Sequence, residues 1–153
     1  LIQAGTRGAP AITFPAIAHE PTTRTGLTHM DGAISFARAA PGTANGDFFI
    51  TIGALSSLDA QPAGSGGDPD GFAVFGRIVA GMDVVRTILA MPTSATGGPA
   101  VMRGQMLAAP VRITTARRTA APPPPPTPAA SAAAPAPAPA PAPSPAPAGP
   151  VRR

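Results

Sequence analysis

Side chains able to do chemistry are sparse in this sequence, and Phe49 is the best placed of them. In Asp47-Phe48-Phe49-Ile50-Thr51-Ile52, Phe48, Ile50 and Ile52 share one face of a strand and Phe49 and Thr51 the other. A half-buried strand needs only one face for the core. Phe49 therefore sits where an aromatic ring could line an apolar pocket, ordinary packing being the alternative. Asp47, by its place before the strand, reads as a solvated residue at a turn end. His19 and His29 lie in a Gly/Thr-rich stretch and read as solvated loop residues, not metal ligands. Asp68 and Asp70 lack the other ligands and the closing glutamate of a calcium loop, so they read as a surface turn. No metal is expected. With no cysteine, thiolate chemistry and disulfides are excluded.

Strands and loops must hold those residues in place. Gly32 to Arg38 alternates, with Ile34 and Phe36 pointing one way, and a turn-rich loop at 41–46 joins it to the Phe48 strand. Residues 53–71 form a flexible Gly/Ser/Asp insertion, and Phe72 to Val79 reads as a further strand. From Gly81 to Met91 the period changes. Met82, Val85, Ile88 and Leu89 fall on one helical face, Asp83 suits the helix dipole, and Pro92 stops the helix. Val111, Ile113 and Thr115 alternate as a last strand that would close the sheet. Upstream, 6–31 is mostly loop, with Ala11 to Pro15 as a short edge strand.

Composition bounds the rest. Of 23 prolines in 153 residues, 14 fall within 122–150, which leaves about 120 residues, enough for one core and not two. Residues 119–153 have nothing to bury and read as a disordered Pro/Ala-rich tail, a spacer or tether. All 11 basic residues are arginine, four of them in two doublets without interleaved aromatics, so nucleic acid is not the expected partner. No apolar stretch is long enough to span a membrane. The first residue is Leu1 rather than methionine, which suggests a processed chain or a fragment.

Three linked blocks carry a family resemblance. Gly-Ala-Ile-Ser-Phe-Ala (32–37), Pro-Gly-Thr-Ala-Asn-Gly-Asp-Phe-Phe-Ile-Thr (41–51) and Val-Phe-Gly-Arg-Ile-Val-Ala-Gly-Met-Asp-Val-Val (74–85) resemble the bacterial-type cyclophilin peptidyl-prolyl cis-trans isomerases. Leu1-Ile2-Gln3-Ala4-Gly5 is similar to a family segment that normally lies near the middle of the domain. The resemblance covers residues 1 to about 118. It implies the later part of a mainly β, cyclophilin-like antiparallel barrel, incomplete, with a flanking helix. The strand that carries the family's active-site arginine would precede Leu1.

By match to the family motifs, Leu1, Phe49, Leu58 and Phe72 would form the floor and walls of a proline pocket. Gln3 and the backbone of Ala37 and Arg38 would grip the peptide. Asp47 stands where the family has a glutamine beside the arginine, Arg38 where many members have asparagine, and Ser57 where they have an aromatic. The implied activity is isomerisation of X-Pro bonds in unfolded proteins, assisting folding, with no cofactor. A non-catalytic proline-peptide-binding or chaperone module is the rival, and an envelope structural protein a weaker one. The absence of cysteine and the Ala/Pro tail suit a periplasmic or secreted location.

Overall fold

The alternating stretches at the centre of the chain fold into the two inner strands of a sheet. In the computed structural model, which describes residues 1–6 and 9–120, β1 (Ile2–Ala4), β2 (Ala33–Phe36), β3 (Phe48–Ile50) and β4 (Val74–Arg77) are the strands. β2 and β3 pair antiparallel, with Ile34 opposite Ile50, Ser35 opposite Phe49 and Phe36 opposite Phe48. β1 adds to the other side of β3, placing Gln3 opposite Phe49. β4 pairs with β2, with Ser35 opposite Val74 and a bulge between Ile34 and Ser35. The order is β1-β3-β2-β4, antiparallel throughout, and the sheet stays open between its edge strands. An incomplete cyclophilin-like barrel is thus what forms. Residues Leu1–Ile113 make up one unit, and a second begins at Thr114. The proline-rich tail lies, from residue 121, outside the described residues.

The period of two sorts the sheet into unequal faces. Ala33, Ser35, Phe49, Thr51 and Val74 are buried, whereas Ile34, Phe36, Phe48 and Ile50 are only half-buried. The face bearing two hydroxyls is the drier one. The connection from β3 to β4 folds back here, with Leu55 N–H donating to His29 O (2.8 Å) and Phe72 N–H to Leu58 O (2.9 Å). The hydroxyls are satisfied in turn: Thr51 Oγ1 accepts from Ala33 N–H at 3.0 Å and donates to Met30 O. Among the described residues, no buried side-chain nitrogen or oxygen lacks a partner, as a dry polar face requires. On the half-buried face Phe36 stacks on Phe75, ring centroids 4.1 Å apart, and Phe75 is itself exposed.

α1 (Thr22–Thr25) is a single turn, and α2 (Met82–Leu89) is the helix expected before Pro92. Val85 is buried and Met82 and Ile88 half-buried, but Leu89 is exposed, so the apolar stripe is narrower than the spacing suggested. α2 packs against β1, and Met82 lies over Gly32, where an added Cβ would meet its Sδ at 3.2 Å. Among the described residues no helix is long and apolar enough to cross a membrane.

Three expectations need correction. The edge strand at Ala11 to Pro15 is instead a 3-10 turn at Pro10–Ile12, closed by Ile12 N–H to Ala9 O. Proline's fixed φ favours such a turn start. Val111, Ile113 and Thr115 form no strand and are exposed. Their alternation permits a strand, but no neighbouring ladder takes them up, and a strand without one leaves its backbone unpaired. The strand expected over Phe72 to Val79 does form, shortened to β4.

Candidate active site

One cavity of about 560 Å³ opens over the drier face of the sheet. Phe49, from the middle of β3, lies 4% exposed at its base. Leu1 and Gln3 approach from β1, and Ala37 and Arg38 from the chain leaving β2. Asp47 enters just before β3, Leu58 from a 3-10 turn (Ser56–Leu58), and Phe72 from just ahead of β4. The eight residues expected to form the pocket all line this one cavity, and Ser57, expected at its edge, does not. Ala39, Thr43 and Asn45 line it as well and were not foreseen. Thr43 shapes that wall, its Oγ1 accepting from Ala39 N–H (3.2 Å) and Ala40 N–H (3.0 Å). Ala37 N–H donates to Asp47 O (2.9 Å) and so closes the ends of the 37–47 loop.

The walls are aromatic and cationic. Phe72 meets Phe49 edge-on, centroids 5.3 Å apart at 84°, the geometry that the ring quadrupoles favour. The Arg38 guanidinium sits 5.0 Å from the Phe72 centroid, within cation–π range. It is also tied down. Nε donates to Gly71 O at 2.9 Å, and Nη2 donates to Gly71 O and to Asp68 Oδ2, the latter at 2.6 Å. Asp47 is not merely solvated, since its Oδ1 accepts from Thr6 Oγ1 at 2.9 Å.

The histidines depart most from expectation. His19 Nε2 lies 2.9 Å from Asp70 O. His29 is 1% exposed, wedged between Asp59 and Ser35 and stacked on Phe49. Its loop composition hid this, because the partners that bury it come from other elements.

Comparison with known proteins decides the family. A model described as cyclophilin type peptidyl-prolyl cis-trans isomerase/CLD matches residues 2–117. The chain belongs to the cyclophilins. A protein of Acinetobacter baylyi named peptidyl-prolyl cis-trans isomerase is 37% identical over 73 residues. That match covers 47% of this chain and 36% of the relative, so the chain spans about a third of the relative's length. Cyclophilins bind proline-containing peptides.

Two residues that hold Arg38 in this cyclophilin give testable consequences. Gly71 is buried at φ +54°, and a Cβ there would fall 2.3 Å from Ala60 N and 2.5 Å from Asp59 C. Both are backbone atoms and cannot step aside. Gly71→Ala is expected to cost at least about 2 kcal/mol, from the left-handed backbone and the clash together. Urea denaturation of the variant beside the parent checks this. An unchanged midpoint would contradict it.

Asp68 is the second residue. A hydrogen bond from the Asp70 backbone N–H, and then the Arg38 guanidinium, hold its carboxyl below the ordinary 3.8. A depressed folded-state value means the Arg38 pair contributes to stability above that ordinary value. The contribution is lost as pH falls through the lower, folded-state value. Following the Asp68 carboxyl carbon by NMR should therefore show titration below 3.8. In Arg38→Ala the midpoint should move up only part of the way, because the Asp70 bond remains. No movement would mean the guanidinium is not felt.

Proposed function

We propose that the Phe49 cavity binds X-Pro segments of unfolded polypeptides, and that the protein containing this chain catalyses their cis–trans exchange and so assists folding. The observation that carries this is the convergence of eight motif-matched residues, from five separate stretches of sequence, on one cavity. Exchange at an X-Pro bond must break amide resonance, a barrier of roughly 18–20 kcal/mol. No covalent bond to the enzyme is needed. A catalyst has to hold the ring and the flanking backbone and favour the twisted amide over either planar form.

The residues suit the holding role. Phe49, Leu58, Phe72 and Leu1 offer apolar contact for a pyrrolidine ring. Gln3 and the backbone of Ala37 and Arg38 stand at the rim, where the peptide's own N–H and C=O groups need partners. A donor aimed at the prolyl nitrogen would then favour the twisted state. Arg38 lines the cavity, but among the described residues its hydrogen bonds go to Gly71 and Asp68. That engagement favours a second reading, in which this chain holds proline peptides without turning them over. The compartment we propose is periplasmic or extracellular, on the lack of cysteine and the Ala/Pro tail.

The test is an NMR titration of the full chain with a short Ala-Pro peptide. The signals of Phe49, Leu58 and Phe72 are expected to shift together, and an Ala-Ala peptide should leave them unmoved. Shifts confined to other regions, or an equal response to both peptides, would refute the assignment.

A further inference from the structure

Behind Phe49 lies a buried polar line that the pocket itself does not use. His29 Nδ1 is 2.6 Å from Asp59 Oδ1, and that same oxygen accepts the His29 backbone N–H at 3.0 Å. On the other side of the ring, Nε2 is 3.0 Å from Ser35 Oγ. Acid, imidazole and hydroxyl in a row suggest nucleophilic chemistry, but Ser35 is 0% exposed and no substrate can reach it. The arrangement does structural work instead.

Proton counting fixes the ring. Asp59 can only accept while ionised, so Nδ1 carries a proton and donates it. Nε2 has Ser35 Oγ as its hydrogen-bond partner at 3.0 Å. Ser35 Oγ in turn donates to Ala73 O at 2.8 Å, a carbonyl that also accepts Phe36 N–H at 3.0 Å, so the hydroxyl is fixed beside the ring. The imidazole is therefore held at both nitrogens and cannot turn without leaving a buried group unpaired.

The fixed ring faces Phe49 at 5.7 Å between centroids and 16° between planes. Phe49 in turn supports Phe72 edge-on. The carboxylate that orients His29 belongs to Asp59, the residue next to Leu58, another wall of the cavity. From this geometry we infer that His29 is a positioning residue. It does not line the cavity, yet it sets the Phe49 ring, and through Asp59 the Leu58 wall, for the incoming proline ring. The inference rests on the proline-binding reading above and deepens it.

The test separates positioning from general stability. Proline-peptide affinity of the full chain is measured by NMR titration for His29→Leu in the parent and in a Phe49→Leu background. Acting through Phe49, His29→Leu should weaken binding about tenfold in the parent and less than about twofold in Phe49→Leu, since coupled neighbours do not add. Equal losses in both backgrounds, or no loss in the parent, would overturn the inference. If His29→Leu does not fold, Asp59→Ala carries the same comparison, with Asp59→Asn expected to restore affinity because its amide oxygen still accepts both N–H groups. Failure of Asp59→Asn to rescue counts against the inference.

The Phe49 ring gives a readout independent of peptide. Its nuclear Overhauser contacts to His29 should be strong in the parent and in Asp59→Asn and weak in Asp59→Ala. A parent chain that binds no proline peptide refutes the proline-binding reading. An unchanged Phe49 ring in Asp59→Ala refutes the positioning role.

Discussion

Phe49→Ala is expected to cost about 3–5 kcal/mol of folding stability and to abolish proline-peptide binding, the stability figure being typical of a buried aromatic cut back to alanine. The ring is 4% exposed, in a strand paired on both sides, and touches His29 on one side and Phe72 on another. Its neighbours are a sheet strand, a doubly hydrogen-bonded imidazole and the Arg38-anchored Phe72, none of which can easily collapse into the void. The lost volume would instead merge with the cavity above it. A domain has only about 5–15 kcal/mol in total, so the variant would be near its unfolding threshold. Phe49→Leu keeps much of the volume and should cost less than about 1.5 kcal/mol, while still lacking the flat surface for a proline ring. Urea denaturation and peptide titration of both variants check this. An alanine variant with the parent's midpoint and affinity would show that Phe49 is neither core nor pocket floor.

How much of this was legible in the sequence depends on how local the cause is. The strands at Ala33–Phe36 and Phe48–Ile50, and the helix at Met82–Leu89, follow from periods carried by adjacent residues, and all three form. Ala37, Asp47 and Phe49 sit inside the linked blocks 32–37 and 41–51, and they line the cavity together with Leu1, Gln3, Arg38, Leu58 and Phe72, whereas Thr43 and Asn45 lie in the same block and were not named. Which face of the sheet would be dry was not legible. Phe48 and Ile50 look like the core, yet Phe49 and Thr51 are more deeply buried, because the returning 53–72 segment covers them. His29 could not be read either. Asp59 is 30 residues away in sequence, and neither local composition nor period announces the pair. Val111, Ile113 and Thr115 show the converse: local alternation is present, but the ladder that would use it is not.

Residues 1–153, assayed as they stand, are expected to turn over an Ala-Pro test peptide at least about a hundredfold more slowly than an intact cyclophilin, the usual loss when one well-aimed electrostatic donor is missing. The family's arginine belongs to a block that the resemblance places ahead of Leu1. Among the described residues Arg38 is the arginine that lines the cavity, and its reach is limited by Gly71 and Asp68. Moving it to a prolyl nitrogen would break a charge-assisted pair and uncover the Phe72 ring on which it lies. The chain should therefore bind the ring and grip the peptide without stabilising the twisted amide, so affinity survives while turnover falls. A protease-coupled assay on this chain, and on a longer one that carries the arginine block, measures the difference directly. The longer chain should recover the hundredfold. Turnover near that of an intact cyclophilin from residues 1–153, lost again in Arg38→Ala, would instead make Arg38 the donor and overturn the prediction.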